Sequence, residues 1–436
     1  MTVRATAAAL CALACTALSN PVNAANFEFW YGNTGKIEEA IQANCASFNA
    51  AQSEHKVTCV GQGGYEVAMQ KAIAAYRSKT HPVLIQFFDA GTLDLLLSNA
   101  VVPVSEVLPD VDWNSYIGGA RSYYETSKGA LWSQPYNAST LIFYGNREAL
   151  ASVGVSELPT TWEGVIKVAT KLRDAGHACP YATDGHPWRV LEQFAARHGA
   201  PVATKGNGFA GLDAEYAFNA GLPAKHMENL AGWRKDGLVR LAADTRAGKF
   251  ADAFNAGECA MIENSTGGYS SHLAALGDKL MVGLAPMYEG VERRNTLVGG
   301  ASIYVMKGHG EDQIKAARAF LDFLRDPAPQ LEFVKATGYV PVTQAALDLI
   351  KTTDRASDPA FAVAELGVGS MDVAGNEYSR GIRLGFFVQF RDIFMEETQK
   401  AFNGEKPMQA ALDSAKTRGD ELLRRFQATY AGVTLP

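Results

Sequence analysis

Short apolar strands alternate with amphipathic helices along most of this chain, and this order constrains its fold more than any other feature. Residues 27–30 are typical of a first strand, and apolar residues then recur at helical spacing over 37–48. The same order returns with a strand at 57–60, a helix at about 66–77 and a strand at 82–88. Such alternation predicts an α/β layered fold.

The later part of the chain continues this alternation without a long linker. Strands are predicted at 141–144, 259–262, 280–284 and 302–306, and helices at 311–325 and 407–426. Thr160-Thr161-Trp162-Glu163 is read as a capping box that begins a further helix. At 436 residues the chain is too long for one ordinary core and suggests two or three domains. Without a linker, the chain is expected to cross between lobes more than once, through segments that act as hinges around a cleft.

The first 24 residues differ in composition from the rest of the chain. Arg4 is their only charge, residues 5–18 are small and apolar, and Ala24 ends a pattern that a signal peptidase reads. We therefore predict a signal peptide over residues 1–24 and a periplasmic mature protein. The apolar run is shorter than the roughly 20 residues that span a bilayer. An uncleaved anchor and lipid attachment at Cys15 are the alternatives.

Export would place the remaining cysteines in an oxidising compartment. Cys45, Cys59, Cys179 and Cys259 allow three pairings. We favour Cys45–Cys59, which would tie a helix to the strand after it, and Cys179–Cys259, which would join two strand starts within one lobe. Free buried thiols are the alternative for the second pair. Neither spacing resembles a zinc site, so no metal is predicted.

Charge and motifs argue against several classes of function. The net charge of −6 disfavours nucleic acid, which is bound by basic surfaces. The histidines lack metalloprotease spacing, and the sequence has no Gly-x-Ser-x-Gly elbow. A lone Gly206-x-Gly208-x-x-Gly211 pattern follows no clear strand and is interpreted as a turn. The sequence therefore predicts neither an enzyme nor a cofactor.

Glycine-rich and hydroxyl-bearing segments follow three of the predicted strands. Residues 61–64 precede a helix that begins at Tyr65, and their backbone N–H groups would suit an anion. Residues 137–140 and 264–268 place hydroxyls at strand ends, the edge at which open α/β sheets bind ligands. Each segment alone is equally compatible with an ordinary turn.

Several motifs occur together, in one order, along nearly the whole mature chain. They are Ser133-Gln134-Pro135-Tyr136-Asn137-Ala138-Ser139-Thr140, Gly299-Gly300-Ala301-Ser302, Thr337-Gly338-Tyr339-Val340-Pro341-Val342-Thr343, and supporting runs at 255–261, 381–385 and 422–426. In this combination the chain resembles the extracellular solute-binding proteins of carbohydrate importers. It is most similar to the periplasmic glycerol-3-phosphate-binding components of Ugp-type ABC importers.

The resemblance implies a two-lobed periplasmic-binding-protein fold of type II, with a ligand cleft between the lobes. We place residues 25–137 and about 290–335 in lobe 1, and residues 138–289 and about 336–436 in lobe 2. The resemblance also implies the ligand-binding positions, which fall on Tyr65, Asp89, Ser139, Trp188, Ser265, Gly300, Tyr339 and Arg391, with Tyr181 near the aromatic wall.

These residue types suit a phosphorylated polyol. Arg391 is expected to meet the phosphate through a bidentate guanidinium fork. Ser139, Ser265 and the N–H of Gly300 would donate to the same oxygens. Asp89 and Tyr65 are assigned to the other, polyol end, where Asp89 accepts from the glycerol hydroxyls. Tyr65, Tyr339 and Trp188 would line the apolar backbone of the ligand.

Two departures from the better-known members bear on the substrate. Asp89 stands where they carry glutamate, so its carboxylate has a shorter reach. Asp184-Gly185-His186 stands where they carry a tryptophan, and loss of that ring is expected to open one wall of the cleft. We therefore expect glycerophosphodiesters such as glycerophosphocholine to bind at least as readily as glycerol-3-phosphate.

The predicted function is a monomeric receptor that closes over a glycerophosphoryl ligand and delivers it to the permease subunits of an ABC importer and their ATPase. An oligosaccharide or sugar receptor of a carbohydrate importer is the alternative, and it predicts an aromatic stacking platform and no need for Arg391. A secreted glycerophosphodiester hydrolase is the rival class, which requires clustered metal ligands or an activated nucleophile. No catalytic residue, metal, cofactor or nucleic-acid partner is predicted.

Overall fold

The structure, a computed structural model, describes residues 25–126, 129–353, 358–433 and 435; the predicted signal peptide lies outside them. The strands are β1 Ala25–Tyr31, β2 His55–Gly61, β3 Leu84–Phe88, β4 Val101–Val102, β5 Gln134–Ser139, β6 Leu141–Asn146, β7 Tyr181–Thr183, β8 Val239–Leu241, β9 Met261–Ser265, β10 Leu280–Leu284 and β11 Gly299–Met306. The helices of the first half are α1 Lys36–Ala51, α2 Tyr65–Ser78, α3 Thr92–Leu97, α4 Val104–Val107, α5 Gly118–Arg121, α6 Arg147–Ala151, α7 Trp162–Asp174, α8 Phe194–Arg197 and α9 Thr204–Asn207. Those of the second half are α10 Gly221–Lys235, α11 Phe250–Asn255, α12 Tyr269–Leu276, α13 Glu311–Arg325, α14 Pro327–Thr337, α15 Gln344–Thr352, α16 Ala360–Met371, α17 Phe387–Phe402 and α18 Met408–Thr429.

Two separate β-sheets organise these elements. The first has the order β2-β1-β3-β11-β4, and β5 pairs with β11 beside this path. The second has the order β10-β6-β9-β7-β8. In each sheet parallel pairs are combined with antiparallel ones, as in the antiparallel pairing of β11 with β3. Helices pack against both sheets, for example α1 and α13 against β1 and β2, and α12 against β10. The predicted two-lobed α/β fold is thus confirmed, with one sheet in each lobe.

The strands and helices form for the reasons expected from their side chains. In α1 the buried residues Ala40, Ile41, Cys45 and Phe48 recur every three or four positions and form one apolar stripe. At the start of α7 the predicted capping box is wrong by one residue. Thr161 is the N-cap and accepts from the backbone N–H of Gly164 at 3.1 Å.

The carbonyl of the neighbouring Thr160 accepts from the backbone N–H of Met287 at 3.0 Å, and the backbone N–H of Trp162 donates to the Met287 carbonyl at 2.8 Å. The carboxylate of Glu163 accepts from the backbone N–H of Glu289 instead of reaching back to the cap. Contacts with a distant segment therefore fix where this helix begins.

The chain passes between the sheets through a set of buried hydroxyl residues. Thr140 connects β5 in the first sheet to β6 in the second. Its hydroxyl donates to the carbonyl of Leu297 at 2.9 Å and lies 2.7 Å from the hydroxyl of Thr296. Thr296, on the return path to β11, lies 3.0 Å from the hydroxyl of Ser370. The backbone N–H of Thr266 donates to the Thr140 carbonyl at 2.9 Å. The crossings are thus held side by side.

Both favoured cysteine pairings are confirmed. Cys45 in α1 is bonded to Cys59 in β2, and Cys179, just before β7, is bonded to Cys259, just before β9. Each disulfide therefore joins elements of a single lobe. Across the described ranges no helix combines the length and apolar character that crossing a membrane requires.

Candidate functional site

A cavity of about 510 Å³ lies between the two sheets, and all eight predicted ligand-binding residues line it. The sheets contribute strand ends, with Ser139 at the end of β5, Ser265 at the end of β9 and Gly300 near the start of β11. Ligands of open α/β sheets bind at such edges. By contrast, segment 61–64 supplies none of the described residues that line this cavity, so its glycines do not form an anion site there.

Helical turns contribute the remaining five predicted residues. Tyr65 is the first residue of α2, and Asp89 begins a short 3₁₀ turn directly after β3. Trp188 begins a π-helical turn, Trp188–Gln193, that runs into α8. Tyr339 follows the end of α14, and Arg391 lies in α17. Residues separated by more than three hundred positions in the sequence therefore meet at one place.

Two tyrosine hydroxyls meet at the wall formed by the first lobe. The oxygen of Tyr65 accepts from the side-chain amides of Asn33 at 3.2 Å and Asn137 at 2.8 Å. The same amide of Asn137 donates to the oxygen of Tyr339 at 3.3 Å. Burial raises the pKa of Tyr65 well above 10 and also raises the pKa of Tyr339, so both phenols stay protonated. The two hydroxyls also bond each other, which leaves at least one O–H to donate to a ligand.

Gln86 in β3 fixes the orientation of both amides. Its side-chain N–H groups donate to the Oδ1 atoms of Asn33 at 2.7 Å and Asn137 at 2.8 Å. Its Oε1 accepts from the backbone N–H of Gly32 at 2.8 Å. With each Oδ1 occupied by Gln86, the NH₂ groups of Asn33 and Asn137 must face the tyrosines. The cavity wall therefore presents hydroxyl donors organised from behind by a buried glutamine.

A charged trio closes another side of the cavity. The Nε and Nη2 of Arg391 donate to the two carboxylate oxygens of Glu192 at 2.8 and 2.6 Å. The same Nη2 lies 3.3 Å from Oδ1 of Asp89. All three are buried, with exposed fractions of 6% for Arg391, 4% for Asp89 and 1% for Glu192. With both carboxylates ionised the trio carries 1 − 2 = −1.

Burial and pairing shift the pKa values of this trio in opposite ways. Burial raises the pKa of Asp89 and of Glu192, while Arg391 opposes that rise in both. Burial alone would lower the pKa of Arg391, but the two carboxylates raise it above its ordinary value. Arg391 is therefore permanently charged, and the carboxylates are the groups that take up protons on acidification.

The trio contradicts the expected division into a phosphate end and a polyol end. Arg391 was expected at the phosphate and Asp89 at the opposite end, but the two side chains are in contact. The Nε–Nη2 edge of the guanidinium is already filled by Glu192, a residue that the sequence analysis did not select. Asp89 still lines the cavity and has carboxylate oxygens that accept from hydroxyls.

The aromatic wall is built around Trp188. A side chain at Gly299 would place its Cβ 2.5 Å from the indole ring, so the ring packs flat on the strand. His186 also lines the cavity, and its Nδ1 accepts from the backbone N–H of Trp188 at 3.1 Å. Burial, aided by the positive charge of Arg391 and Arg189, lowers the pKa of His186 well below 6.5. The wall expected to open beside Gly185 is therefore partly occupied by a neutral imidazole.

The second lobe contributes a rim of amides and hydroxyls. Oγ of Ser265 accepts from the backbone N–H of Gly267 at 3.1 Å, so its own O–H is left for a ligand. The amide of Asn264 donates to Nε2 of His272 at 3.0 Å, and Nδ1 of that ring lies 2.6 Å from Oδ1 of Asn255. Burial lowers the pKa of His272 to about 4, so this ring is neutral at pH 7.

The backbone conformation at position 300 requires a glycine. Its φ of +93° belongs to the left-handed region, and a Cβ would lie 2.0 Å from the backbone oxygen of Asn137. The close approach of β11 to β5 brings the Gly300 backbone and Ser139 to the same wall. Among the residues that the structure describes, the hydroxyl of Ser139 has no hydrogen-bond partner.

Sequence reasoning missed the polar residues that organise the site. Asn33 follows the first strand, and this position after a strand was the one signal that would have found it. Glu192 and Gln193 together interrupt an apolar run, 190–196, which was a signal for buried polar groups. Within the described ranges no group of three or more histidine, cysteine or carboxylate side chains is arranged to hold a metal ion.

The fold and the cavity define a class of protein, the two-lobed receptor that holds a small molecule between its lobes. Residues 43–363 match the family model for bacterial extracellular solute-binding proteins, and the chain belongs to this family.

Curated relatives narrow the similarity within that family. The sn-glycerol-3-phosphate-binding periplasmic protein UgpB of Yersinia pseudotuberculosis serotype I (strain IP32953) is 34% identical over 428 residues, which cover 95% of this chain and 96% of that protein. The protein of the same name from Brucella abortus (strain 2308) is 34% identical over 425 residues, covering 95% and 97%. The resemblance noted in the sequence is therefore confirmed.

Solved structures show the same fold at lower identity. The GacH receptor of Streptomyces glaucescens, solved unliganded and with acarbose, aligns with a TM-score of 0.77 at 16% identity, covering 92% of this chain and 99% of that one. UgpB from Mycobacterium tuberculosis, solved in complex with glycerophosphocholine, aligns with a TM-score of 0.76 at 20% identity, covering 92% and 98%.

Proposed function

We propose that this protein captures glycerol-3-phosphate and glycerophosphodiesters such as glycerophosphocholine for an ABC importer. The names of the curated relatives and the ligand of the Mycobacterium tuberculosis protein support this ligand class. The observation that carries the proposal is the donor wall, in which the amides of Asn33 and Asn137 donate to the tyrosine oxygens, and the bond between the two hydroxyls leaves one tyrosine O–H for an anion.

In this proposal the phosphoryl group binds the donors and the glycerol hydroxyls bind the trio. Tyr65 and Tyr339 leave one free tyrosine O–H between them and Ser139 offers another, and such neutral donors hold an anion by charge-assisted hydrogen bonds. Ser265 and the backbone of Gly300 complete that wall. The free carboxylate oxygen of Asp89 accepts from the glycerol hydroxyls, and Arg391 holds Asp89 in place. Trp188 packs on the carbon chain of the ligand.

The same proposal covers export, delivery and the absence of catalysis. The protein acts in the periplasm after removal of residues 1–24, as a monomer that closes its lobes and docks on the permease subunits, which work with an ATPase. The lobes comprise residues 25–137 with about 290–335, and residues 138–289 with about 336–436. It releases the ligand unchanged, as a member of a family of solute-binding proteins is expected to do.

Calorimetry on refolded, ligand-stripped protein tests the ligand class. We expect dissociation constants on the order of micromolar for sn-glycerol 3-phosphate and for glycerophosphocholine. Heat from maltotriose without heat from either phosphate compound would establish the sugar receptor instead. Release of free alcohol from a glycerophosphodiester during incubation would establish the hydrolase.

A pair of tyrosine variants tests the donor wall. Tyr339→Phe removes one cavity hydroxyl and is expected to weaken binding of both phosphate compounds by roughly tenfold, the value of about 1.5 kcal/mol for one hydrogen bond to an anion. Tyr136→Phe is the control, because its buried hydroxyl bonds Asn44 at 3.1 Å and does not line the cavity. Equal affinity losses in the two variants would contradict the donor wall.

A further inference from the structure

Glu192 does not line the cavity, yet it sets the charge beside it. Its carboxylate is 1% exposed and both of its oxygens are bonded to Arg391, at 2.8 and 2.6 Å. Arg391 in turn reaches Asp89, which does line the cavity. Glu192 therefore lies one side chain behind the ligand.

The charge of Glu192 is not needed to fill this space. Buried ion pairs are frequently no more stabilising than apolar side chains of similar volume, so stability alone does not account for the carboxylate. The pair of Arg391 with Asp89 would be neutral by itself. Adding Glu192 makes the same cluster negative by one unit when both carboxylates are ionised.

A negative cluster behind an anion site distinguishes ligands by their charge. A phosphate monoester carries about −1.5 to −2 at pH 7, because its second pKa is near 6. A phosphodiester carries one negative charge at every pH above its single low pKa. The repulsion from Glu192 therefore acts more strongly on the monoester than on the diester, even when the two have the same glycerol group.

We propose that Glu192 is a specificity-determining residue that shifts the site toward monoanionic glycerophosphodiesters and away from the dianionic glycerol phosphate monoester. This inference rests on the proposed function, since it assumes a glycerophosphoryl ligand in the cavity.

The test compares two ligands that differ by a single methyl group, sn-glycerol 3-phosphate and its methyl phosphodiester. Calorimetry gives the affinity ratio of diester to monoester for wild type and for Glu192→Gln. We expect the variant to lower this ratio about tenfold, the scale of one unit charge acting across about 10 Å at an effective dielectric near 20. A ratio unchanged within twofold in a folded Gln variant overturns the inference.

Two further variants separate charge from structure. Glu263→Gln is the matched control, because Glu263 is a buried carboxylate of the second lobe, 3% exposed and paired with Arg197 at 2.7 Å, and it does not line the cavity. It is expected to lower the unfolding temperature without changing the ratio. Glu192→Asp keeps the charge but shortens the side chain, so both ligands should weaken together. A tenfold ratio change in Glu263→Gln would also overturn the inference.

If Glu192→Gln does not fold, the pH dependence of the affinity ratio is measured on the wild-type protein instead. Between pH 7.5 and 5.5 the monoester loses a charge, so its affinity relative to the diester should rise several-fold. Protonation of Asp89 or Glu192 acts in the same direction. The other titratable groups that act on the trio are His186, Tyr123, Tyr124, Tyr216 and Glu66. His186 and the three tyrosines stay neutral throughout because their pKa values lie outside this range.

The outcomes separate this inference from the proposed function. If neither ligand binds the wild type, the proposed function fails and this inference fails with it. If both bind and the ratio responds neither to Glu192→Gln nor to pH, the ligand class stands and only the role of Glu192 is rejected.

Discussion

Replacing Arg391 with methionine is expected to be one of the most damaging single substitutions in this protein. Met keeps only the aliphatic stem of Arg391 and carries no charge, so the contacts of the guanidinium carbon with the rings of Phe88 and Phe387, at 5.9 and 5.3 Å, are lost as well. The substitution leaves the carboxylates of Asp89 and Glu192 buried without a cation. Removing one partner of a buried ion pair costs about 3–5 kcal/mol of the free energy of unfolding.

The loss should depend on pH with a defined sign. Burial raises the pKa of both carboxyls in the folded state, and without Arg391 nothing opposes that rise. A carboxyl whose folded pKa exceeds its unfolded value stabilises the fold when protonated, and that contribution is lost as pH rises through the folded pKa. The deficit of Arg391→Met relative to wild type should therefore be largest at pH 7 and above, and should shrink toward pH 5.

Urea unfolding at pH 7.5 and pH 5, followed by circular dichroism, measures both effects. A second variant, Arg391→Met with Glu192→Leu, removes one of the stranded carboxylates and should recover at least about 2 kcal/mol. A deficit below about 1 kcal/mol at pH 7.5, or a deficit that grows on acidification, would refute this account of the trio.

Three other substitutions test the site and its frame. Gln86→Leu removes the donor that orients Asn137, and is expected to cost about 3 kcal/mol of stability for three lost hydrogen bonds and to weaken ligand binding in calorimetry. Gly300→Ala is expected to abolish measurable binding, because at φ +93° its Cβ would overlap the backbone of Asn137. Replacing Cys179 and Cys259 together with serine should lower the free energy of unfolding by about 4.5 kcal/mol, the chain-entropy value for a closed loop of 80 residues.

Each of these has a matched control. Gln134→Leu removes another buried glutamine of the first lobe, which donates to Leu321 away from the cavity, and it should leave ligand affinity unchanged. Gly290→Ala has a similar φ of +75° with no atom within 4 Å, so it reports strain without the clash. The Cys45–Cys59 bond closes a loop of only 14 residues. Its loss should therefore lower the free energy of unfolding by only about 3 kcal/mol. Equal costs for the two disulfides would contradict the loop-length argument.

Local patterns were sufficient to predict the framework of this protein. The apolar runs at 141–144 and 302–306 form β6 and β11. Such strands can be recognised in a sequence from the pattern of their own side chains. The helix at 311–325 was predicted with its observed bounds. The first disulfide was favoured because Cys45 and Cys59 lie on successive elements, and the second because Cys179 and Cys259 each stand at the start of a strand.

The contacts of the site were beyond local patterns. Arg391 meets Glu192 across 199 positions and Asp89 across 302, and such pairings are fixed only when α17 packs against the π-helical turn. An arginine in a sequence gives no sign of whether its guanidinium group will bind a ligand or a carboxylate of the same chain. The role of Gln86 was hidden for a similar reason, because a glutamine inside an apolar strand gives no sign of which amides it will orient.

The hydroxyl residues at the crossings have a mechanical consequence for the receptor. Ser139 immediately precedes Thr140, and Ser265 immediately precedes Thr266, so two cavity residues lie beside the pivot about which the lobes would turn. Points near a pivot move little while the far rims move most. Ligand contacts near the pivot can thus stay nearly constant while the lobes rotate. A permease that contacts the distant rims would detect a bound ligand through the large displacement of those rims.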